Sequence, residues 1–151
     1  MCITIVNMIK LNPYLNFMGL TEEAFLFYKS VFGGEFTTFQ KFKDVPDLPN
    51  KENMSDHDLN KVMHVALPIG DNVLMATDAL ESMGHRLTVG NNISLSIHPD
   101  TRTEADRLFG ALKADGGKME MPMMEMFWGD YFGMVDDKFG VKWMINCAAK
   151  E

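Results

Sequence analysis

His64 lies in residues 61–69, a stretch where Met63, Val65, Leu67 and Ile69 make one apolar set and Val62, His64 and Ala66 fall between them. A strand turns alternate side chains to opposite faces. The apolar set should therefore pack under a helix, with His64 facing an interior cavity. Imidazole titrates near neutrality, so His64 could serve as a general base or donate a hydrogen bond to an oxyanion. The plainer alternative is a satisfied interior histidine bonded to Ser94 or to a buried water. The same alternation turns Asn92, Ser94 and Ser96 one way and Ile93, Leu95 and Ile97 the other. It pairs Met75 with Thr77, and sets Met144 and Asn146 against Trp143 and Ile145. The expected pocket has a polar wall of Asn92, Ser94, Thr77 and His64, and an apolar wall of Leu15, Phe17, Met75 and Met144. Ligand sites have this mixed character.

Other chemistry-bearing residues have simpler readings. Met119, Met121, Met123, Met124 and Met126 suggest an adaptable ligand surface, because methionine repacks easily; alternation instead makes Met119, Met121 and Met123 one buried face. Ser55-Asp56-His57-Asp58 resembles a metal cluster in isolation, but in a charged loop it reads as solvated. Residues 136–140 (DDKFG) read as a hairpin turn, with Gly140 free to take a positive φ. Cys147 falls on a core-facing position with no histidine nearby in sequence, so it reads as inert.

The elements that would position these residues occur twice. Residues 11–17 have strand character. Thr21-Glu22-Glu23 opens a helix with Thr21 as N-cap; Ala24, Phe27, Tyr28, Val31 and Phe32 form its apolar face, and Gly33-Gly34 ends it. Strands follow at 35–42, 61–69 and 72–78. The second half repeats the order: a strand at 92–98, then a helix with Thr101 and Glu104 at capping-box spacing. Ala105, Leu108, Phe109 and Leu112 are that helix's apolar face, Gly116-Gly117 its end, and strands follow at 118–124, 131–135 and 141–147. The predicted fold is α+β: a single domain over 1–151, built from βαβββ modules at 10–79 and 91–148. Each sheet is expected to curl into a mixed sheet or barrel around a cavity, its own helix outside. Residues 43–60, with Pro46 and Pro49, form a long charged loop of the kind that serves as a lid or is mobile, and residues 80–90 join the modules. Residues 1–7 read as a tail or an added edge strand.

Several stretches carry a resemblance: "NPYLNF" with "EEAFLFYKSVFGGEF", then "MHVALPIGDNVLMATD", "GNNISLSI" and "MFWGDYFGMVDDKFGVKWMIN". In this order, from residue 11 onward, they resemble PhnB-like proteins of the vicinal-oxygen-chelate superfamily (glyoxalase, bleomycin resistance, dioxygenase). That pattern places Trp128, Asp130 and Tyr131 in a loop at the cavity mouth, where Trp and Tyr offer stacking surface with a polar edge. It implies a homodimer. Some members carry a ubiquinone-pathway methyltransferase label, yet no glycine-rich strand-to-helix turn that cradles a nucleotide-like cofactor is present. The superfamily binds a divalent metal with one side chain from each of four cavity-facing strands. The resemblance puts Pro13, Met75, Asn92 and Met144 at those positions. Proline offers no ligand atom, and thioethers are poor partners for zinc, nickel, manganese or iron(II). No metal and no cofactor is expected.

Composition narrows the partners. The net charge is -7 and the 14 basic residues are scattered, so nucleic acid and acidic membrane are excluded as expected partners. The two cysteines, Cys2 and Cys147, suggest no disulfide framework, and the apolar run at residues 3–6 is too short to span a membrane. A cytoplasmic homodimer that binds a partly apolar small molecule is the leading expectation. A metal-independent lyase or isomerase using His64 with Asn92 and Ser94, and a dimeric scaffold with a vestigial pocket, are the alternatives.

Overall fold

The computed structural model describes residues 9–150; the expectations for residues 1–7 and Cys2 lie outside the described residues. Among the described residues two four-stranded sheets form. The first joins β1 (Tyr14–Phe17), β4 (Asn72–Asp78), β3 (Val62–Ile69) and β2 (Thr38–Lys41) in that order. The second joins β5 (Leu95–Ile97), β8 (Lys142–Cys147), β7 (Tyr131–Asp136) and β6 (Lys118–Glu125). Both run first-fourth-third-second. In each, the first strand is parallel to the fourth and the other pairs are antiparallel. The internal repeat is thus real at the level of topology. Of the two expected forms, mixed sheet or barrel, the mixed sheet is present: among the described residues each sheet keeps two edge strands and no ladder closes it.

The chain divides into two compact units. One holds the described residues up to Phe25 with Gly34–His85; the other holds Leu26–Gly33 with Arg86 onward. Helix α1 (Thr21–Phe32) is therefore shared between them. This corrects the expectation that each helix covers its own sheet. The reason is chemical. In the second unit, Tyr28 is fully buried and its hydroxyl donates to Asp137 Oδ2 at 2.6 Å. Its ring meets Trp143 edge-on at 5.6 Å, Phe32 lies 5.4 Å from Trp143, and Phe27 packs on Phe139. An aromatic helix face with a polar tip finds an aromatic strand face with an acceptor. Phe25, absent from the expected apolar face, is also fully buried.

Two buried carboxylates organise the units. In the first, Asp78 Oδ1 accepts from the Gly19 and Thr21 N–H groups and the Thr21 hydroxyl, and its Oδ2 accepts from the Val62 N–H. One side chain thus ties the start of α1 to the start of β3. In the second, Asp137 Oδ2 accepts from Tyr28 and from Trp143 Nε1 (2.8 Å), while Oδ1 accepts from the Phe139 and Val141 N–H groups.

The second helix of the repeat, α3 (Arg102–Lys113), buries Ala105, Leu108 and Leu112. The Thr101 hydroxyl caps it by accepting from the Glu104 N–H, while the Glu104 carboxylate pairs with Arg107. Between β2 and β3, Ser55 caps a short helix α2 (Asp56–Leu59). Ser55, Asp56 and His57 are exposed, as the solvated reading expects, but the segment is helical rather than a loop, and Asp58 is buried. Asp58 is 7% exposed, accepts from Ser82 Oγ at 2.5 Å and pairs with Lys61 Nζ at 3.1 Å. The Ser82 bond, and after it Lys61, holds its carboxyl below the usual range.

Candidate functional site

Directly paired residues share a sheet face, so the register sorts the candidates. In the first sheet Tyr14 pairs with Met75, Met75 with Ala66 and Ala66 with Thr38. Asn16 pairs with Thr77, and His64 with Gln40. These residues occupy one face. Leu15 pairs with Ala76, Ala76 with Val65, and Phe17 with Asp78, which puts them on the other. That second face is the packed one: Phe17, Leu74, Ala76, Val65 and Leu67 are buried, whereas Tyr14 is 46% exposed and His64 is half-buried. The sheet therefore brings His64, Met75 and Thr77 together and places Leu15 and Phe17 away from them. Val62 and Ala66, expected beside His64, are themselves buried.

The polar centre of the open face is a pair that the sequence reading missed. Tyr14 Oη lies 3.0 Å from His64 Nδ1, and the two rings stack at 5.6 Å with 20° between planes. A tyrosine beginning a four-residue strand gives no sequence signal of its own. It meets His64 because β1 joins the sheet beside β4, at the register Tyr14↔Met75. Burial raises the Tyr14 pKa, and a hydrogen bond with Thr77 opposes that rise. The phenol is protonated at neutral pH.

In the second sheet Ser96 pairs with Met144, Met144 with Met134 and Met134 with Met121; Asn146 pairs with Phe132 and Phe132 with Met124. One face thus carries a row of thioethers across three strands. The expected buried methionine face is not formed. Met119 is 49% exposed, and register shifts between Met119/Met121 and Met121/Met124 break the alternation. Gly133 of the facing strand has Met123 packed over it, and a Cβ there would lie 2.6 Å from the Met123 sulfur. At the end of this face Ser96 Oγ is 2.9 Å from His98 Nε2, and Asn146 donates to Asp130 at 3.0 Å. The Ala149 N–H, then Asn146, holds the Asp130 carboxyl below its usual range.

The remaining predicted residues are dispersed. Asn92 is exposed in a bend before β5, which is shorter than expected, and Ser94 is half-buried just ahead of the strand. Tyr131 pairs with buried Cys147, on the face opposite Met144. Its hydroxyl donates to Asp106 Oδ1 at 2.7 Å, which raises its pKa, and Arg102 sits over its ring at 5.0 Å. Trp128 is 51% exposed in a turn, edge-on to Phe127 at 4.7 Å. None of the predicted residues lines the ≈ 640 Å³ open groove beside the Arg102–Glu125 ion pair.

A divalent metal finds poor donors on either sheet. Pro13 presents its carbonyl to the Met75 N–H; the residue facing Met75 is Tyr14, and the one facing Met144 is Ser96. Neither pair offers the imidazole and carboxylate that zinc or manganese prefers. Among the described residues no group of three or more His, Cys, Asp or Glu could hold an ion. The residues present do not fit the superfamily's metal. No helix among the described residues is long and apolar enough to cross a membrane.

Residues 9–146 match the family model described as 3-demethylubiquinone-9 3-methyltransferase. The chain is 32% identical over 149 residues to Protein YjdN of Escherichia coli (strain K12), covering 93% of this chain and 97% of that one. The crystal structure of protein PA1353 from Pseudomonas aeruginosa matches at 36% identity and a TM-score of 0.81, over 94% of this chain and 99% of that one. A putative 3-demethylubiquinone-9 3-methyltransferase, PhnB protein, from Bacillus cereus matches at 26% identity and a TM-score of 0.72, over 92% and 99%. A glyoxalase/bleomycin resistance/dioxygenase family enzyme from Burkholderia phytofirmans PsJN, 21% identical over 89% of this chain and 95% of that one, has a TM-score of 0.58 and shows the shared fold. With sequence, sheet order and relatives in agreement, the chain belongs to the PhnB family of the glyoxalase/bleomycin resistance/dioxygenase fold, as a homologue of YjdN.

Proposed function

We propose that this protein binds a partly apolar small molecule without a metal, on the open face of the first sheet. The observation that carries this reading is the Tyr14–His64 pair, flanked on that face by Met75 and Thr77. It supplies one polar anchor beside apolar surface, the composition of a ligand site. The relatives' methyltransferase description is not carried over, because the chain has no glycine-rich strand-to-helix turn for a nucleotide-like methyl donor.

A second reading, a metal-independent lyase or isomerase with His64 as acid or base, gains support from the same contact, since a catalytic imidazole needs a partner that fixes its ring. The protein is proposed to act as a homodimer, with Leu26, 55% exposed on α1, as apolar surface for a two-fold contact. Light scattering that gives a monomer mass at micromolar concentration refutes the dimer. Ligand-observed NMR with a metabolite library tests binding, and native mass spectrometry of the purified protein identifies any molecule that travels with it. A hit weakened by His64→Gln by about 0.5–1.5 kcal/mol, the worth of one neutral hydrogen bond, supports the site. A library without hits, or a hit indifferent to His64→Gln, removes it. Turnover of the hit moves the second reading ahead of the first.

A further inference from the structure

The Tyr14–His64 contact has a direction, and the direction decides what the open face can recognise. A neutral imidazole has one N–H and one bare nitrogen. At 3.0 Å from Tyr14 Oη, Nδ1 either accepts the phenolic hydrogen or donates its own. Acid and base strength favour the first arrangement: a phenol O–H is a stronger hydrogen-bond donor than an imidazole N–H, and a bare imidazole nitrogen is a stronger acceptor than a phenol oxygen. Stacking at 20° holds the imidazole in place beside it.

We propose that Tyr14 is a positioning residue. By donating to Nδ1 it holds His64 as the tautomer with its hydrogen on Nε2, so that the open face of the first sheet offers a hydrogen-bond donor and takes a ligand with a carbonyl or carboxylate oxygen. This rests on the binding reading above for its ligand, but not for its tautomer. Asn16 and Gln40, on the same face, each carry both a donor and an acceptor and can adapt to such an oxygen.

The tautomer is read in the ligand-free protein, so it stands apart from whether anything binds. Nitrogen-15 long-range correlation spectra, recorded where the ring is neutral, should show His64 with bare Nδ1 and protonated Nε2. Tyr14→Phe keeps the ring stack and removes the hydrogen. It should leave the fold intact by circular dichroism and let the second tautomer appear. A protonated Nδ1 in the parent protein, or spectra unchanged by Tyr14→Phe, overturns the positioning role. The ligand class is tested with acetophenone, which has an acceptor oxygen and no donor, against styrene, its near-isostere without oxygen. Acetophenone should bind about 2- to 10-fold more tightly, in keeping with one neutral hydrogen bond, shift the Nε2 signal, and lose much of that advantage in Tyr14→Phe. Equal affinity for the two probes, or no binding of acetophenone, overturns the acceptor-oxygen class.

Discussion

Asp78 closes β4 of the first sheet, Asp137 follows β7 of the second, and each buried carboxylate accepts four hydrogen bonds. The donors differ. Asp78 takes three backbone N–H groups and one hydroxyl, so it pins the path of the main chain where α1 and β3 begin. Asp137 takes two backbone N–H groups and the polar tips of Tyr28 and Trp143, so half its work is to let two aromatic side chains be buried. A backbone N–H remains at its place whatever the side chain is. The tips of Tyr28 and Trp143 are there by choice of residue, and can be removed one at a time.

Removing each carboxylate in turn should separate the two roles by the largest margin. Asp78→Ala leaves three fixed N–H groups and a hydroxyl without an acceptor. At about 1–3 kcal/mol for each orphaned group, partly relieved by water, a loss of about 3–5 kcal/mol is expected. Asp137→Ala should cost less, about 2–4 kcal/mol, because two of its four donors are side-chain tips that can shift with their side chains, whereas three of the four on Asp78 are fixed backbone N–H groups. Urea midpoints at unchanged m report both, and an Asp137→Ala cost equal to or above that of Asp78→Ala refutes the distinction.

Tyr28→Phe removes one donor and its bond, and should cost about 1 kcal/mol at neutral pH. It also tests a pH effect. Burial, and then the Asp137 charge, raises the Tyr28 pKa. Above about pH 10 the unfolded chain releases the phenolic proton and the folded one keeps it. The unfolded state then binds fewer protons, and stability falls as pH rises. Tyr28→Phe should flatten that alkaline slope; an unchanged slope removes Tyr28 as its source.

On the acid side the sign reverses. Ser82 and Lys61 depress the Asp58 pKa, so its contribution is present above the ordinary carboxylate value of about 3.9 and is lost as pH falls through the lower folded value. Ser82→Ala should shrink the fall in melting temperature between pH 5 and pH 3, and leaves Lys61 in place as a control.

Smaller still is His64→Gln, which should change stability by no more than about 0.5 kcal/mol, since the ring lies half-buried on an open face. A larger loss by thermal melting would return His64 to a structural role. Added zinc or nickel should leave the melting temperature where it is, because an ion that the native state does not hold cannot stabilise it; a chelator-reversible rise contradicts the donor argument.

Much of the fold was legible because alternation and helical spacing are local. Both helices, the repeated order of strands, and the grouping of His64 with Thr77 and Met75 follow from such patterns. Most of what failed was non-local. The parallel pairing of β1 with β4 decides that Tyr14, not Leu15 or Phe17, shares a face with Met75, and one residue of register exchanges the faces. The bulges in β6 redirected the methionines; their local sign in "KMEMPMME" is Pro122, which has no N–H for the ladder and lies within the second shift. Asp137 read as a turn residue because its partners Tyr28 and Trp143 can be assigned only once α1 is known to belong partly to the second unit. Asn92 lies outside β5, which begins three residues later, so strand alternation does not fix which way it faces.

The allocation of Leu26–Gly33 to the second unit has a consequence for how the protein is made. Tyr28 and Asp137 are separated by 109 residues. At roughly 5–20 residues per second, a ribosome that has delivered Tyr28 takes on the order of 5–20 s to deliver its acceptor. Through that interval an apolar helix face waits without the aromatic layer that will cover it, a natural target for chaperones. A nascent chain arrested near residue 85 would hold every strand of the first sheet and still carry this unsatisfied segment. The first module, although it reads as a complete repeat, contains a helix whose second half has its partners in the other half of the sequence.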